Sequence, residues 1–195
     1  MAELNIYRCS WANGNSLMKT YHDKEWGMPV HDDRLHFEFM VLDAFQAGLS
    51  WLTVLNKREN FRFAFNNFDY NRVALYSDSD IKKLLSNEGI IRNKLKVEAT
   101  INNAKRFIEI IAEYGSFDKY IWQFVGNNVI KNKRKTIKEI PSHSSESDIM
   151  SKSLIKKGFR FAGTTICYSY MQAAGLVNDH EINCFRYDSL PDKII

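Results

Sequence analysis

Two pairs of residues able to ligate a metal lie near opposite ends of the chain: Cys9 with His22, and His180 with Cys184 in the stretch NDHEINCF. His180 and Cys184, four positions apart, put an imidazole and a thiolate on one face of a turn, and with Cys9 and His22 they supply the Cys₂His₂ set of a closed tetrahedral zinc site. Neither pair forms a C-x₂-C knuckle, so spacing alone leaves open the ordinary alternative of buried thiols and hydrogen-bonded histidines. A shared metal would tie roughly the first twenty residues to about the last fifteen. Closing so long a loop contributes folding free energy on the order of several kcal/mol. With four protein ligands and no place for water, its role would be structural.

A second group is aromatic and acidic: Trp11, Tyr21, His22, Asp23, Glu25 and Trp26, followed by Asp43, Gln46 and Trp51. Asp43 stands alone in LDAFQAGL, where an unpaired charge is costly. These residues could be core rings around a hydrogen-bonded acid. Their functional counterpart is an aromatic box with one carboxylate, suited to a flat, positively charged heterocycle through stacking and cation–π attraction. A third group is the glycine-bounded stretch KKGFRFAGTT, with Lys156, Lys157 and Arg160 beside Gly158 and Gly163. Backbone N–H groups at such a turn, next to a helix start, hold a phosphate without reading sequence. An ordinary helix–helix turn fits the same residues.

The elements that position these groups are helical. Leu35, Phe39, Leu42, Phe45, Leu49 and Leu52 recur every three or four residues, and Phe37, Met40 and Val41 widen the stripe, so a buried central helix is expected that breaks near Gly48. Further helices are expected through NKRENFRFAFNN, through DIKKLLSNEG with Asp78 or Ser79 as cap, and through SFDKYIWQFVG. In NKLKVEATINNAKRFIEIIAEYG, Leu95, Ala99, Ile101, Ala104, Ile108 and Ile111 share one side and Gly115 ends the helix. KTIKEIPSHSSESDIM reads as a polar loop with a capping signal before MSKSLIKKG. In the glycine-bounded turn, Thr164 or Thr165 is placed to cap the second helix. Two-residue alternation is confined to a weak NNVIKNK, and the predicted fold is all-α, one unit over 1–195.

Composition sets the outer limits. With 195 residues, 45% hydrophobic and 26% charged, the chain is neither disordered nor membrane-spanning, and the longest apolar runs fall well short of a bilayer. Nine Gly and three Pro favour long helices. The balance of 27 Lys+Arg against 23 Asp+Glu gives +4, which permits a polyanionic partner without requiring one. The hairpin lysines Lys156 and Lys157 suggest that this charge gathers on one face. Three cysteines, and an opening MAELNIYRCSW that lacks a charged-then-apolar segment, predict a cytoplasmic protein with thiols or metal ligands rather than disulfides.

CSW, YHDKEWGMPVHDD, QAGLSWLTVLNKRENFRFAF, GIIRNKLKVEATINNA, GFRFAGTTICYSYMQAAGLVNDH and the closing Cys184 together resemble the DNA-3-methyladenine glycosylase I family, from about Cys9 to Phe185. The resemblance implies a helix-hairpin-helix DNA glycosylase bundle, with the hairpin region at about 156–175 and a zinc site joining the N- and C-terminal segments. Such a protein flips a damaged base from duplex DNA and hydrolyses its N-glycosidic bond, beginning base-excision repair. Cys9, His22, His180 and Cys184 occupy the positions of the family's structural zinc ligands, one Zn²⁺ per chain. Tyr21 and Trp51 fall where the family stacks the methylated base, and Trp11 and Trp26 where it lines the pocket. Gln46, Gly48 and Leu49 fall where it plugs the hole left in the duplex. Gly158, Arg160, Gly163, Thr164 and Thr165 fall on its phosphate-gripping turn.

Two positions depart from the pattern. The family's glutamate that hydrogen-bonds the base is Asp43 here, roughly 1.5 Å shorter in reach. A second family aromatic is Met18, which packs against a ring through its thioether but stacks poorly. Recognition and catalysis are assigned to Asp43, Tyr21 and Trp51 with no general base, and Asn178 and Asp179 stay open as stabilisers of the sugar's charge. The expected enzyme is a monofunctional, monomeric glycosylase acting on duplex DNA with alkylated bases and having no membrane partner. The alternatives are a zinc-containing damage-binding module that cleaves nothing and a zinc hydrolase of free nucleosides.

Overall fold

The structure is a computed structural model and describes residues 6–190. After a 3₁₀ turn at Ser10–Ala12 come α1 (Ser16–Lys24), α2 (Asp33–Gln46), α3 (Trp51–Ala64), α4 (Tyr70–Val73), α5 (Asp78–Ser86), α6 (Lys94–Tyr114) and α7 (Phe117–Trp122). Then follow β1 (Ile130–Lys131), α8 (Ser145–Lys156), α9 (Thr164–Ala173) and β2 (Val177–Asn178). Asn15, Asp32, Ser50, Asp69, Ser77, Asn93, Ser116 and Ser144 cap α1 to α8 in turn, each accepting from backbone N–H groups of the first turn. Helix α9 differs: Gly163 is its N-cap and offers no side chain.

Helix α2 is the centre of the molecule. Phe37, Phe39, Val41, Leu42 and Phe45 are all buried, and the helix packs against α3, α6, α7 and α9. A helix apolar around most of its circumference has no face to offer solvent, so its neighbours must enclose it. Phe61, Phe65, Phe68, Phe107 and Phe117 fill the space between, with Phe107 and Phe117 stacked at 3.9 Å.

Several expectations are corrected here. The break near Gly48 is a full interruption from Ala47 to Ser50, because Ser50 caps a new helix that begins at Trp51 rather than within NKRENFRF. The α5 cap is Ser77, in a capping box with Asp80, and the helix starts at Asp78, two residues earlier than DIKK implied. Leu95 lies on the outer side of α6 and is 67% exposed. Thr164 and Thr165 are the first residues of α9 rather than its cap, since the Thr164 hydroxyl is engaged by Asp148 and Ser147 of α8. The weak NNVIKNK alternation yields β1, which pairs in parallel with β2, Ile130 opposite Val177. Among the described residues no helix is long and apolar enough to cross a membrane.

Candidate functional site

A cleft of about 420 Å³ opens between α1, α2, α9 and the start of α3. The 3₁₀ turn supplies Trp11, α1 supplies Met18 and Tyr21, α2 supplies Asp43 and Gln46, and Trp51 is the first residue of α3. Trp26 completes the aromatic wall. Trp11 meets Trp26 edge-on at 4.9 Å, and Tyr21 tilts against Trp51 at 5.1 Å. Thus Trp11, Tyr21, Trp26, Asp43 and Trp51, separated by up to forty positions in sequence, form one concave surface.

Asp43 stands out when the acids and bases of α2 are compared. His36 is fully buried but bonded to the Tyr170 hydroxyl at 2.6 Å and to Asp118 at 3.2 Å. Glu38 is fully buried but accepts from Arg58 at 2.7 Å and Arg62 at 2.8 Å. Asp43 is equally enclosed, and its Oδ2 has no partner. Burial therefore pushes its carboxyl well above the usual carboxylate range. Trp51 Nε1 is a second buried polar atom without a partner in the same cleft. An orphaned acceptor and an orphaned donor beside stacked rings are the complement of a planar ligand carrying both hydrogen-bonding types. Burial also raises the Tyr21 phenol, with the Asp43 charge as a second cause, so that ring stays neutral.

Four lining residues escaped the sequence reading: Ile137, Ile140, Ser169 and Gln172. Ser169 and Gln172 are three apart on α9, a spacing that could have been read once that helix was known to face the cleft. Gln172 donates from Nε2 to Asp179 at 2.8 Å, which fixes its amide. Asp179 itself is buried and accepts from Asn132, Arg134, Tyr168 and Gln172, so both its oxygens are engaged. It does not line the cleft. Asn178 is likewise occupied, donating to the Tyr187 carbonyl and accepting from the His180 N–H.

A second, shallower depression shares Asp43, Gln46 and Ser169 with the cleft and continues past Gly48 and Leu49 to Thr165. Gly48 has φ +80° with open space where a Cβ would lie, and Leu49 is 44% exposed. Below this projection, the buried Lys96 ammonium donates to the carbonyls of Phe45 at 2.9 Å and Ala47 at 2.6 Å, securing the end of α2. At the turn between α8 and α9, Asn103 holds both the N–H and the carbonyl of Arg160 at 2.8 Å, and Asn102 holds the Gly158 carbonyl. The free backbone N–H groups of α9 point out beside exposed Gly163 and Thr165. The charge expected to gather at the hairpin lysines is partly offset there: Lys157 pairs with Glu113 and lies over the Tyr114 ring at 5.1 Å.

Cys9, His22, His180 and Cys184 converge with all ligand atoms within 4.8 Å of one another, and all four are buried. Cys9 Sγ is 3.4 Å from His180 Nδ1, and Cys184 Sγ is 3.4 Å from His22 Nε2. The other ring nitrogens are anchored, His22 Nδ1 to Asp23 at 2.8 Å and His180 Nε2 to the Trp26 carbonyl at 3.1 Å. Two thiols, two imidazoles and outer partners that fix each ring fit a structural zinc ion. His180 and Cys184 sit on a turn rather than on the helical turn their spacing suggested. Gly27, at φ +79°, packs where a Cβ would come within 3.0 Å of His180 Nε2, so only glycine lets the backbone pass that imidazole.

Comparison with known proteins adds to this geometry. The sequence profile of the methyladenine glycosylase family matches residues 11–187. DNA-3-methyladenine glycosylase 1 of Escherichia coli (strain K12) is 45% identical over 180 residues, 92% of this chain and 96% of that protein. DNA-3-methyladenine glycosylase of Haemophilus influenzae is 42% identical over 177 residues, 91% of this chain and 96% of that protein. A solved structure of 3-methyladenine DNA glycosylase I from Staphylococcus aureus, described for its recognition of 3-methyladenine, superposes with a TM-score of 0.90 at 31% identity, covering 96% of this chain and 98% of that one.

Proposed function

This chain belongs to the methyladenine glycosylase family, and we propose that it is a monofunctional DNA glycosylase that excises 3-methyladenine from alkylated duplex DNA. The reading rests on two atoms, Asp43 Oδ2 and Trp51 Nε1, left without partners inside an aromatic cleft. A flipped 3-methyladenine offers an exocyclic amine to the first, ring nitrogens to the second and a positive charge to the surrounding rings. Asp43 in place of the family's glutamate reaches about 1.5 Å less far, which places the base deeper against α2 or bridges the gap by water.

Methylation at N3 makes the attached base a cation, so the bond between N9 and C1′ is weak at the outset. As it breaks, its electron pair passes to the base, which leaves neutral, while positive charge develops on the sugar. Water then adds to C1′ and loses a proton, giving the abasic site. The protein's share is positioning and electrostatics rather than proton transfer to the leaving group. A cation against Asp43 favours the carboxylate form over the neutral acid held there by burial. Departure of a neutral base removes both the ion pairing and the cation–π attraction, which promotes product release. Among the described residues no lysine lines the cleft, which supports a simple hydrolysis without a Schiff base.

In this reading Gln46, Gly48 and Leu49 occupy the space vacated in the duplex. The α8–turn–α9 unit is the helix-hairpin-helix motif, its uncapped N-terminus meeting a phosphate beside Gly158, Arg160, Gly163, Thr164 and Thr165. Cys9, His22, His180 and Cys184 would hold one zinc ion that supplies folding free energy and takes no part in the chemistry. The test is chromatographic: dimethyl-sulfate-treated duplex DNA is expected to yield free 3-methyladenine with wild-type protein. Tight binding to that DNA without base release would overturn the enzyme in favour of a damage-binding module.

A further inference from the structure

The segment 131–138, KNKRKTIK, holds five of the chain's 27 basic residues and no acid, leaving 22 basic against 23 acidic residues everywhere else. The whole net positive charge therefore resides in eight consecutive positions. Their place in the fold gives this a purpose. Ile137 and Ile140 turn inward to line the cleft, and Ile137 is nevertheless 42% exposed at its rim. They line the cleft but not the depression that leads to Gly48, Leu49 and Thr165.

The segment is also anchored. Asn132 and Arg134 both donate to Asp179, the Asn132 N–H donates to the Asn178 carbonyl at 3.0 Å, and the Ile182 N–H donates to the Arg134 carbonyl at 2.7 Å. This fixes its backbone to the stretch that carries His180 and Cys184. Lys133, Lys135 and Lys138 remain exposed, and among the described residues their ammonium groups have no ion-pair partner. Two cations near the hairpin and the cleft are already engaged, Lys157 by Glu113 and Lys96 by backbone carbonyls, which leaves Lys156 and Arg160 exposed at the hairpin.

We infer that residues 131–140 form a second DNA-backbone grip, in which Lys133, Lys135 and Lys138 meet phosphates flanking the flipped nucleotide while Ile137 packs against its sugar. The inference rests on the glycosylase reading for the nucleotide in the cleft, and on charge complementarity for the phosphates. It separates two tasks that the hairpin alone was expected to carry: the α9 N-terminus positions one phosphate through neutral N–H groups, and this segment supplies the salt-dependent attraction.

The test measures affinity for a duplex carrying one tetrahydrofuran abasic site across a range of NaCl concentrations. Each neutralised phosphate contributes about 0.9 to the slope of log K against log salt, so Lys133→Ala/Lys135→Ala/Lys138→Ala should lower that slope by about 2 to 3. The control Lys82→Ala/Lys83→Ala, on α5 away from the cleft, should leave it unchanged. Lys133→Arg/Lys135→Arg/Lys138→Arg should retain it. An unchanged slope in the alanine variant, or an equal fall in the α5 control, overturns the inference. Release of 3-methyladenine by wild type, measured on the same preparations, reports separately on the glycosylase reading, because the slope is read from binding alone.

Discussion

Cys9 Sγ and His180 Nδ1 lie 3.4 Å apart although 171 positions separate them. Between the segments that carry them stand the Trp26 carbonyl, which accepts from His180, and the Trp11 and Trp26 rings that wall the cleft. The Cys9, His22, His180 and Cys184 cluster and the aromatic cleft thus share a wall, and disruption of the cluster is expected to be felt at the cleft as well as at the termini.

Zinc removal should therefore unfold rather than merely inactivate. One zinc per chain is expected by atomic absorption, and chelation or Cys184→Ser should lower stability by on the order of several kcal/mol, seen as a fall in Tm. A chelated protein that keeps its Tm while losing activity would point instead to a catalytic metal.

Asp43→Asn should make the protein more stable and less active. In the folded chain the Asp43 carboxyl keeps a proton that the unfolded chain gives up near pH ~3.9, so the native state binds more protons and stability falls as pH rises from that value toward the raised native one. The amide removes that dependence. The gain in Tm over wild type should therefore be small in acid and grow toward neutrality. A gain that is constant with pH would show that Asp43 titrates normally.

Trp51→Phe keeps a ring to stack on but deletes the unpartnered Nε1. Affinity for free 3-methyladenine, followed by titration calorimetry, should fall about 2- to 13-fold, the size of one neutral hydrogen bond of roughly 0.5–1.5 kcal/mol, with little change in Tm. Unaltered affinity would remove Trp51 as a donor.

Met18→Tyr should tighten base binding. Met18 lines the cleft near Tyr21, and an aromatic ring there adds about 0.5–1.5 kcal/mol of ring–ring interaction. Weaker binding in the same titration would mean that the thioether is required by the shape of the cleft.

Much of this arrangement was legible in the residues. Asp43 was conspicuous as an acid within an apolar helix, and the structure shows why: its neighbours His36 and Glu38 are equally buried but paired through Asp118, Tyr170, Arg58 and Arg62, partners that sequence cannot place. The aromatic residues were visible, their convergence was not. Ile137 and Ile140 went unread because the polar residues around them read as a loop, and a loop pinned to a distant strand by Asp179 leaves no periodic signal. The same limit applied to the end of α2, where Ser50 starts a new helix before Trp51 and so turns the indole into the cleft.

The most direct test of the account is base release from dimethyl-sulfate-treated duplex DNA by wild type and Asp43→Asn side by side. The account predicts free 3-methyladenine from wild type and at least about a tenfold slower release from the variant, equivalent to about 1.4 kcal/mol or more of lost transition-state stabilisation. Equal rates from the two proteins would contradict it, because the one buried acid left without a partner among the described residues would then have no part in the reaction.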